Sequence, residues 1–361
     1  MYKILFCDLL LQKGNRNIDN HMIKILSEDH QVYVFADNNF DIMSLKNDSN
    51  VYFLENKYDD NHGCSLHYYK RVLQRTKLMA KYIDDINPDI VYISVYHTNL
   101  FYFSLPFLKK YLPRIVILEN YNIDFLSSSI DRFFYNKYKN VVNHMVYEPY
   151  FKEYLCREIG VRPNMVHIVP HIHYSQSLVA DLQEPLDEMY DCVSLSWSID
   201  ENVVNDIIEF EKKEHFFEKN NITCFIKSSS HKYESAYLTV KGGFIEKTVY
   251  DNLYKNSKIV LIPFPLSYKY RMSGCVVDSF SQHKAVVSTN FMLAEYYHSK
   301  YGKIICPCLD VKSMMESIRY YLNNIKIQAS DFMQFELDHG YDAVKKSLYE
   351  MITKIQKNDN Y

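Results

Sequence analysis

The chain has 361 residues, 47% of them hydrophobic and 24% charged, which suits two cores of roughly 150 to 180 residues better than one. A formal net charge of −3 argues against a nucleic-acid binder, because neutralising phosphates normally leaves a clear basic excess. No uninterrupted apolar run of about 18 residues is present. Asp8 breaks the apolar N-terminal run that could pass for a secretion signal, so a cytoplasmic location is expected.

In chain order, the first 170 residues carry seven strand-like runs: "YKILFCD", "QVYVFAD", "VYFLEN", "DIVYISVY", "RIVILENY", "HMVYEP" and "MVHIVP". Most are separated by helix-length stretches such as "SLHYYKRVLQRTKLMAKYIDDI" and "PYFKEYLCREIG". Short β-rich runs alternating with helical patterns predict βαβ units and a doubly wound, mostly parallel sheet. From 171 to 190 the pattern lapses into polar residues without a period, and this reads as a linker. Six further strands then alternate with helices: "CVSLSW", "ITCFIKSS", "YLTVKGGF", "KIVLIPFP", "AVVSTN" and "KIICPC". The expected organisation is an α/β domain over 1–170, the linker, a second α/β domain over 191–335, and a closing helix over 336–361. The eight cysteines are scattered through strand-like segments, as expected for reduced core thiols, and "CPC" at 306–308 reads as an apolar strand end.

Two open parallel sheets have a predictable working surface: ligands bind outside the carboxyl ends of the strands, at the point where strand order reverses, and facing domains make a cleft. The stretch "SYKYRMSGCVVDSFSQHK" follows one such strand end. Ser273 is expected at the N-cap of a helix beginning at Gly274. The N–H groups there would form an anion site with the positive end of the helix dipole behind them. Gly274 lets a ligand approach the backbone closely, and Arg271 adds a guanidinium fork suited to phosphate. Asp278, one turn further on, can accept hydrogen bonds from sugar hydroxyls. Lys227, ending "CFIK", is a second candidate cation; the alternative for it is a solvated strand-end lysine.

In the first domain, Gly14 and Asn15 occupy the loop after the first strand. His97 ends "DIVYISVYH", and Glu119 and Asn120 end "RIVILEN", where either could hold an acceptor hydroxyl. No Walker loop, "HExxH", complete "GxGxxG" or Ser-His-Asp order is visible. The segment 66–86 carries Lys70, Arg71, Arg75, Lys77 and Lys81 against an apolar stripe of Val72, Leu73, Thr76, Met79, Ala80 and Ile83. It reads as an amphipathic helix packed on the sheet with a solvated basic face; the sharper reading is a peripheral contact with the inner membrane face.

Together these segments resemble the retaining family 4 glycosyltransferases of the GT-B fold, over nearly the whole chain. "VVNHMVYEPYFKEYLCREIGVRPNMVHIVPHIH" looks like the end of that family's N-terminal domain. "GGFIEKTVYDNLYKNSKIVLIPFP" and "SGCVVDSFSQHKAVVSTN" look like the segments leading into and through its donor site. The resemblance implies two Rossmann-like domains facing an interdomain cleft, and a final helix crossing back to the first domain. It places Asp278 at the second Glu of the E-x7-E motif, which holds the nucleotide ribose, and Tyr270 at the first. It also implies that Gly14 and Asn15 stand in for a Gly-rich turn near the donor phosphates, that His97 lies near the transferred sugar, and that no metal-holding acidic pair is needed.

The chain departs from the family in lacking the first Glu and the "R-x-x-x-x-K-G" clamp, and in carrying His283 or Lys284 where a glycine precedes "PVV". The reading implied is a cytoplasmic enzyme moving a hexose-type sugar from a nucleotide-diphosphate donor to a growing or lipid-linked glycan, with no cofactor or metal and no nucleic-acid partner. Two alternatives stay open: a sugar-nucleotide epimerase on the same scaffold, and a non-catalytic partner subunit.

Overall fold

The computed structural model describes residues 1–11, 16–38, 45, 48–58, 66–173, 190–243 and 245–358. The chain divides into two compact units, Met1–Ile172 together with Tyr341–Tyr361, and His173–Gly340. The stretch 336–340 thus belongs to the second unit.

The first unit is built on seven strands: β1 (Lys3–Asp8), β2 (Gln31–Phe35), β3 (Val51–Phe53), β4 (Ile90–Val95), β5 (Ile115–Leu118), β6 (Asn143–Val146) and β7 (Val166–Ile168). Their order is β3-β2-β1-β4-β5-β6-β7, and each pairing is parallel. All residues of β4, β5 and β6 are buried, as expected where helices cover both faces of a parallel sheet. From β1 the chain winds outward through β2 and β3, then crosses back to β4 on the other side. The strand order therefore reverses between β1 and β4.

The second unit repeats the plan with β8 (Cys192–Ser194), β9 (Cys224–Lys227), β10 (Tyr233–Glu234), β11 (Leu238–Lys241), β12 (Ile259–Ile262), β13 (Ala285–Thr289) and β14 (Ile305–Cys308). The order β10-β11-β9-β8-β12-β13-β14 puts the reversal between β8 and β12. The six expected strands are present. The seventh, β10, is two residues long and pairs antiparallel with β11, too short to leave an alternation pattern in the sequence.

Helices follow the expected pattern with two differences. Pro149–Tyr154 runs on into a π-turn, Leu155–Ile159, that ends at Gly160 with φ of +77°, the left-handed conformation that glycine adopts without strain. The closing helix is broken at Gly340 into Met333–His339 and Tyr341–Asn358. A Cβ at Gly340 would lie 2.5 Å from the Glu336 carbonyl oxygen. Tyr341–Asn358 docks on the first unit through buried Val344, Leu348, Met351, Ile352 and Ile355, with Lys345 Nζ 2.6 Å from a Glu28 carboxylate oxygen. No helix among the described residues is long and apolar enough to cross a membrane.

The basic face expected on Leu66–Ile86 needs correcting. Lys70, Lys77 and Lys81 are exposed and Arg71 is half-buried, but Arg75 is completely buried. Arg75 lies three residues from Val72 and four from Met79, so it shares the stripe that faces the core.

Candidate functional site

At the carboxyl edge of the second sheet, the turn after β12 behaves as its sequence suggests. Ser273 is the N-cap of Gly274–Ser281, and its Oγ accepts from the Val276 N–H at 3.3 Å. The first N–H groups of any helix lack intrahelical acceptors. Here they belong to Gly274 and Cys275, at the exposed end of an otherwise buried element. A Cβ on Gly274 would meet nothing within 4 Å. Protein packing therefore does not demand glycine at this position, and the space above the backbone is open.

Arg271 is half-buried, its guanidinium carbon 3.8 Å from the centroid of the Tyr268 ring, an arrangement that stiffens the fork before any ligand arrives. Asp278 is half-buried one turn into the helix, and the Tyr250 hydroxyl donates to its Oδ2 at 3.5 Å. Burial holds the Tyr250 phenol and the Cys275 thiol protonated, above their usual ranges. Tyr270, in the loop before the helix, is half-buried.

Lys227 ends β9 and is buried, not a solvated strand-end lysine. Its Nζ lies 3.4 Å from the centroid of Trp197, which is itself 70% exposed. Burial pulls the Lys227 ammonium below its ordinary pKa, and a cation–π contact favours the charged form. Trp197 is the only tryptophan in the chain and stands in the loop directly after β8. Lys227, Trp197 and the Arg271–Gly274 turn therefore follow β9, β8 and β12, the three adjacent strands around the reversal of strand order. The loops are tied together: Asp200 N–H donates to the Pro263 carbonyl at 2.7 Å. Glu201 gathers Ser228 Oγ (2.5 Å), Ser229 N–H (2.8 Å) and Ser229 Oγ (2.6 Å) at the end of β9.

Sequence reasoning missed Trp197, Tyr250 and Glu201. The available signal was a lone tryptophan immediately after a strand facing the "SSSH" turn.

The ambiguity between His283 and Lys284 is settled by the backbone. His283 has φ of +54°, the conformation a glycine would supply, while Lys284 Nζ caps carbonyls of Lys255 and Ser257 at 3.0 and 2.5 Å.

The corresponding edge of the first unit is organised differently. Gly14 and Asn15 lie outside the described residues. Before them, Asp8 Oδ1 accepts from the N–H groups of Leu10 (2.9 Å) and Leu11 (2.7 Å), and Leu11 itself takes φ of +59°. His97 is the N-cap residue of Thr98–Leu108 and is half-buried, with Nε2 3.4 Å from the Tyr68 hydroxyl. Burial lowers its pKa. Asp8 ends β1 and His97 follows β4, the pair flanking the reversal.

Glu119, expected to hold an acceptor hydroxyl, is fully buried. Tyr96 donates to its Oε2 at 2.8 Å, Tyr135 donates to its Oε1 at 2.8 Å, and His144 Nδ1 lies 2.8 Å from Oε1. Both carboxylate oxygens serve the core, which removes Glu119 from an acceptor role. Its neighbour Asn120 is half-buried, and its enclosed Oδ1 has no hydrogen-bond partner among the described residues. Nor do three or more His, Cys, Asp or Glu side chains among the described residues gather as a metal ion would require.

No protein-family model matches the sequence and no curated protein matches it. Solved structures do match in shape over almost the whole chain. A glycosyltransferase from Rickettsia africae ESF-5 superposes with a TM-score of 0.66 at 13% identity, covering 99% of each chain. Sucrose-phosphate synthase from Thermosynechococcus elongatus gives 0.68 at 9%, again over 99% of each. UDP-N-acetylglucosamine 2-epimerase from Rickettsia bellii gives 0.63 at 11%, over 100% of this chain and 98% of that one. At such identities the likeness shows the fold: two Rossmann-like α/β units of the GT-B type.

Proposed function

We propose that this chain is a glycosyltransferase that takes its sugar from a nucleotide-diphosphate donor and passes it to a growing or lipid-linked glycan, with retention of configuration and without a metal. The observation that carries the reading is the cationic edge of the second unit, where Arg271, the capped helix start at Ser273 and Gly274, and Lys227 over Trp197 surround the reversal of strand order. Glycosyl transfer builds charge on the departing diphosphate, so fixed positive groups aimed at that charge matter more than a strong base. In this reading Arg271 and the helix N-terminus hold the diphosphate, and Lys227 neutralises it as the bond to the sugar breaks. Trp197 stacks on the base, and Asp278 accepts from ribose hydroxyls, with Tyr270 assigned to the same donor. In the first unit the reading assigns His97 to the transferred sugar, Gly14 and Asn15 to the donor phosphates, and Asn120 to the acceptor.

Calorimetry with a nucleoside diphosphate and with inorganic pyrophosphate, each with and without chelator, tests the cradle. Losing one charge-assisted contact costs roughly 1.5 to 3 kcal/mol, so Arg271→Ala should bind a nucleoside diphosphate about 10- to 150-fold more weakly. Asp278→Asn should weaken the nucleotide but not pyrophosphate, and chelator should change nothing. Wild-type affinity in Arg271→Ala, or binding abolished by chelation, would sink the reading. A mass-spectrometric screen of uridine- and guanosine-diphosphate sugars separates the epimerase alternative, which yields an isomer of the donor with no acceptor present.

A further inference from the structure

The helix Thr98–Leu108 in the first unit contains no charged residue at all. Leu100, Phe101, Ser104 and Leu108 face the core, while Phe103 (53% exposed) and Phe107 (40%), one turn apart, face water. An ordinary surface helix is polar on that side. The neighbouring helix Ser129–Tyr135 continues the surface with Ile130 (67% exposed) and Phe133 (55%), three residues apart on one face. The two helices join through Phe134, whose ring centroid lies 5.6 Å from Phe103 and 5.4 Å from Phe133.

Lysines edge this aromatic surface. Lys77 Nζ is 4.8 Å from the Phe107 centroid and Lys137 Nζ is 4.7 Å from that of Phe133, and Lys81, on the helix that carries Lys77, and Lys109, directly after Leu108, are exposed as well. Among acidic neighbours, Asp84 is held by Lys110 at 2.5 Å and Asp131 is only partly exposed.

From this juxtaposition we infer that the face formed by Thr98–Leu108 and Ser129–Tyr135, with its lysine edge, docks onto an anionic lipid surface. Phenylalanines would enter the acyl boundary while ammonium groups, carried on long apolar stems, stay at the headgroups. A protein partner fits less well, because lysine is depleted at protein interfaces, whereas each lysine near an anionic leaflet adds to lipid binding. In a chain of net charge −3 the attraction has to be this local. The inference does not depend on which sugar, if any, is transferred.

The test is co-sedimentation of the full chain with phosphatidylcholine vesicles and with vesicles that also contain phosphatidylglycerol. Wild type should pellet with the anionic vesicles only, and salt near ~1 M should release it. Phe103→Ser with Phe133→Ser should reduce partitioning at least about tenfold. Lys77→Gln with Lys137→Gln should reduce it about fivefold per lysine on anionic vesicles. Because all four positions are on the surface, melting curves should be unchanged. Wild type left in the supernatant, or pelleting equally with neutral vesicles, overturns the inference. So does a wild-type dimer in light scattering that Phe133→Ser turns into a monomer, since a second copy would then be the occupant.

Discussion

The two sheets reverse their strand order in the same way, yet they furnish the reversal differently. Around β8 and β12 the polar groups are turned outward: an exposed Trp197 under the Lys227 ammonium, a half-buried Arg271, and a helix start with open space above Gly274. Around β1 and β4, and in β5 and β6 beside them, they are turned inward. Glu119 and His144 are fully buried and hydrogen-bonded to tyrosines, and Leu9, Leu10 and Leu11 are buried after β1. A buried carboxylate needs every lone pair satisfied, and a site for an anion needs donors left over. The same reversal of strand order thus carries buried, mutually satisfied polar groups in one unit and a cationic edge in the other.

The comparison is broken most directly at Glu119. Glu119→Ala removes the buried carboxylate that Tyr96, Tyr135 and His144 share, so it should destabilise the first unit by about 3 to 5 kcal/mol in urea denaturation, while leaving nucleoside diphosphate affinity intact under native conditions. If stability holds and only turnover falls, Glu119 meets a ligand after all and the contrast fails.

Acid should sharpen the difference between the units. His167 and His171, both in the first unit, are held by burial at pKa values of about 4, against about 6.5 in an unfolded chain. Between those values the unfolded state binds protons that the folded state refuses. Their contribution is therefore fully present above pH ~6.5 and is lost as pH falls toward ~4, on the order of 3 kcal/mol for each histidine. Following tyrosine hydrogen-bond partners or amide exchange unit by unit should show the first unit loosening earlier on acidification. His171→Phe should remove part of that slope; an unchanged slope would show that other groups set it.

The smallest effect concerns the cap. Ser273→Ala should cost about 1 kcal/mol of stability in the second unit, while Gly274→Ala, which meets no atom within 4 Å, should leave stability nearly unchanged or slightly raised. Both should weaken diphosphate binding in the same calorimetric assay. A Gly274→Ala protein that binds as wild type would mean that no ligand comes near the backbone there.

Much of this was legible in the sequence because it depends on local rules. Alternating apolar runs and helical periods set both sheets, since a parallel strand buried on both faces must be apolar throughout. The Ser273–Gly274 start was readable because a cap is satisfied by residues within one turn of it. The helix 66–86 was readable as an element, but not the fate of Arg75, since a helical wheel does not say how wide the buried stripe is. Nor could the sequence choose between His283 and Lys284 as the glycine surrogate, because a backbone dihedral shows only when the turn is built.

What the sequence determined by itself is the order of elements along the chain and the chemistry available at each strand end. What only the tertiary structure decided is which of those groups face each other: Glu119 finding His144 across 25 residues and Trp197 finding Lys227 across 30. It also decided which stay in water, as Phe103 and Phe107 do while Phe101 of the same helix is buried. Those outcomes depend on contacts between strands and helices distant in the chain, and the free energy of burying a polar or aromatic group is set by its neighbours in space, not by its neighbours in sequence.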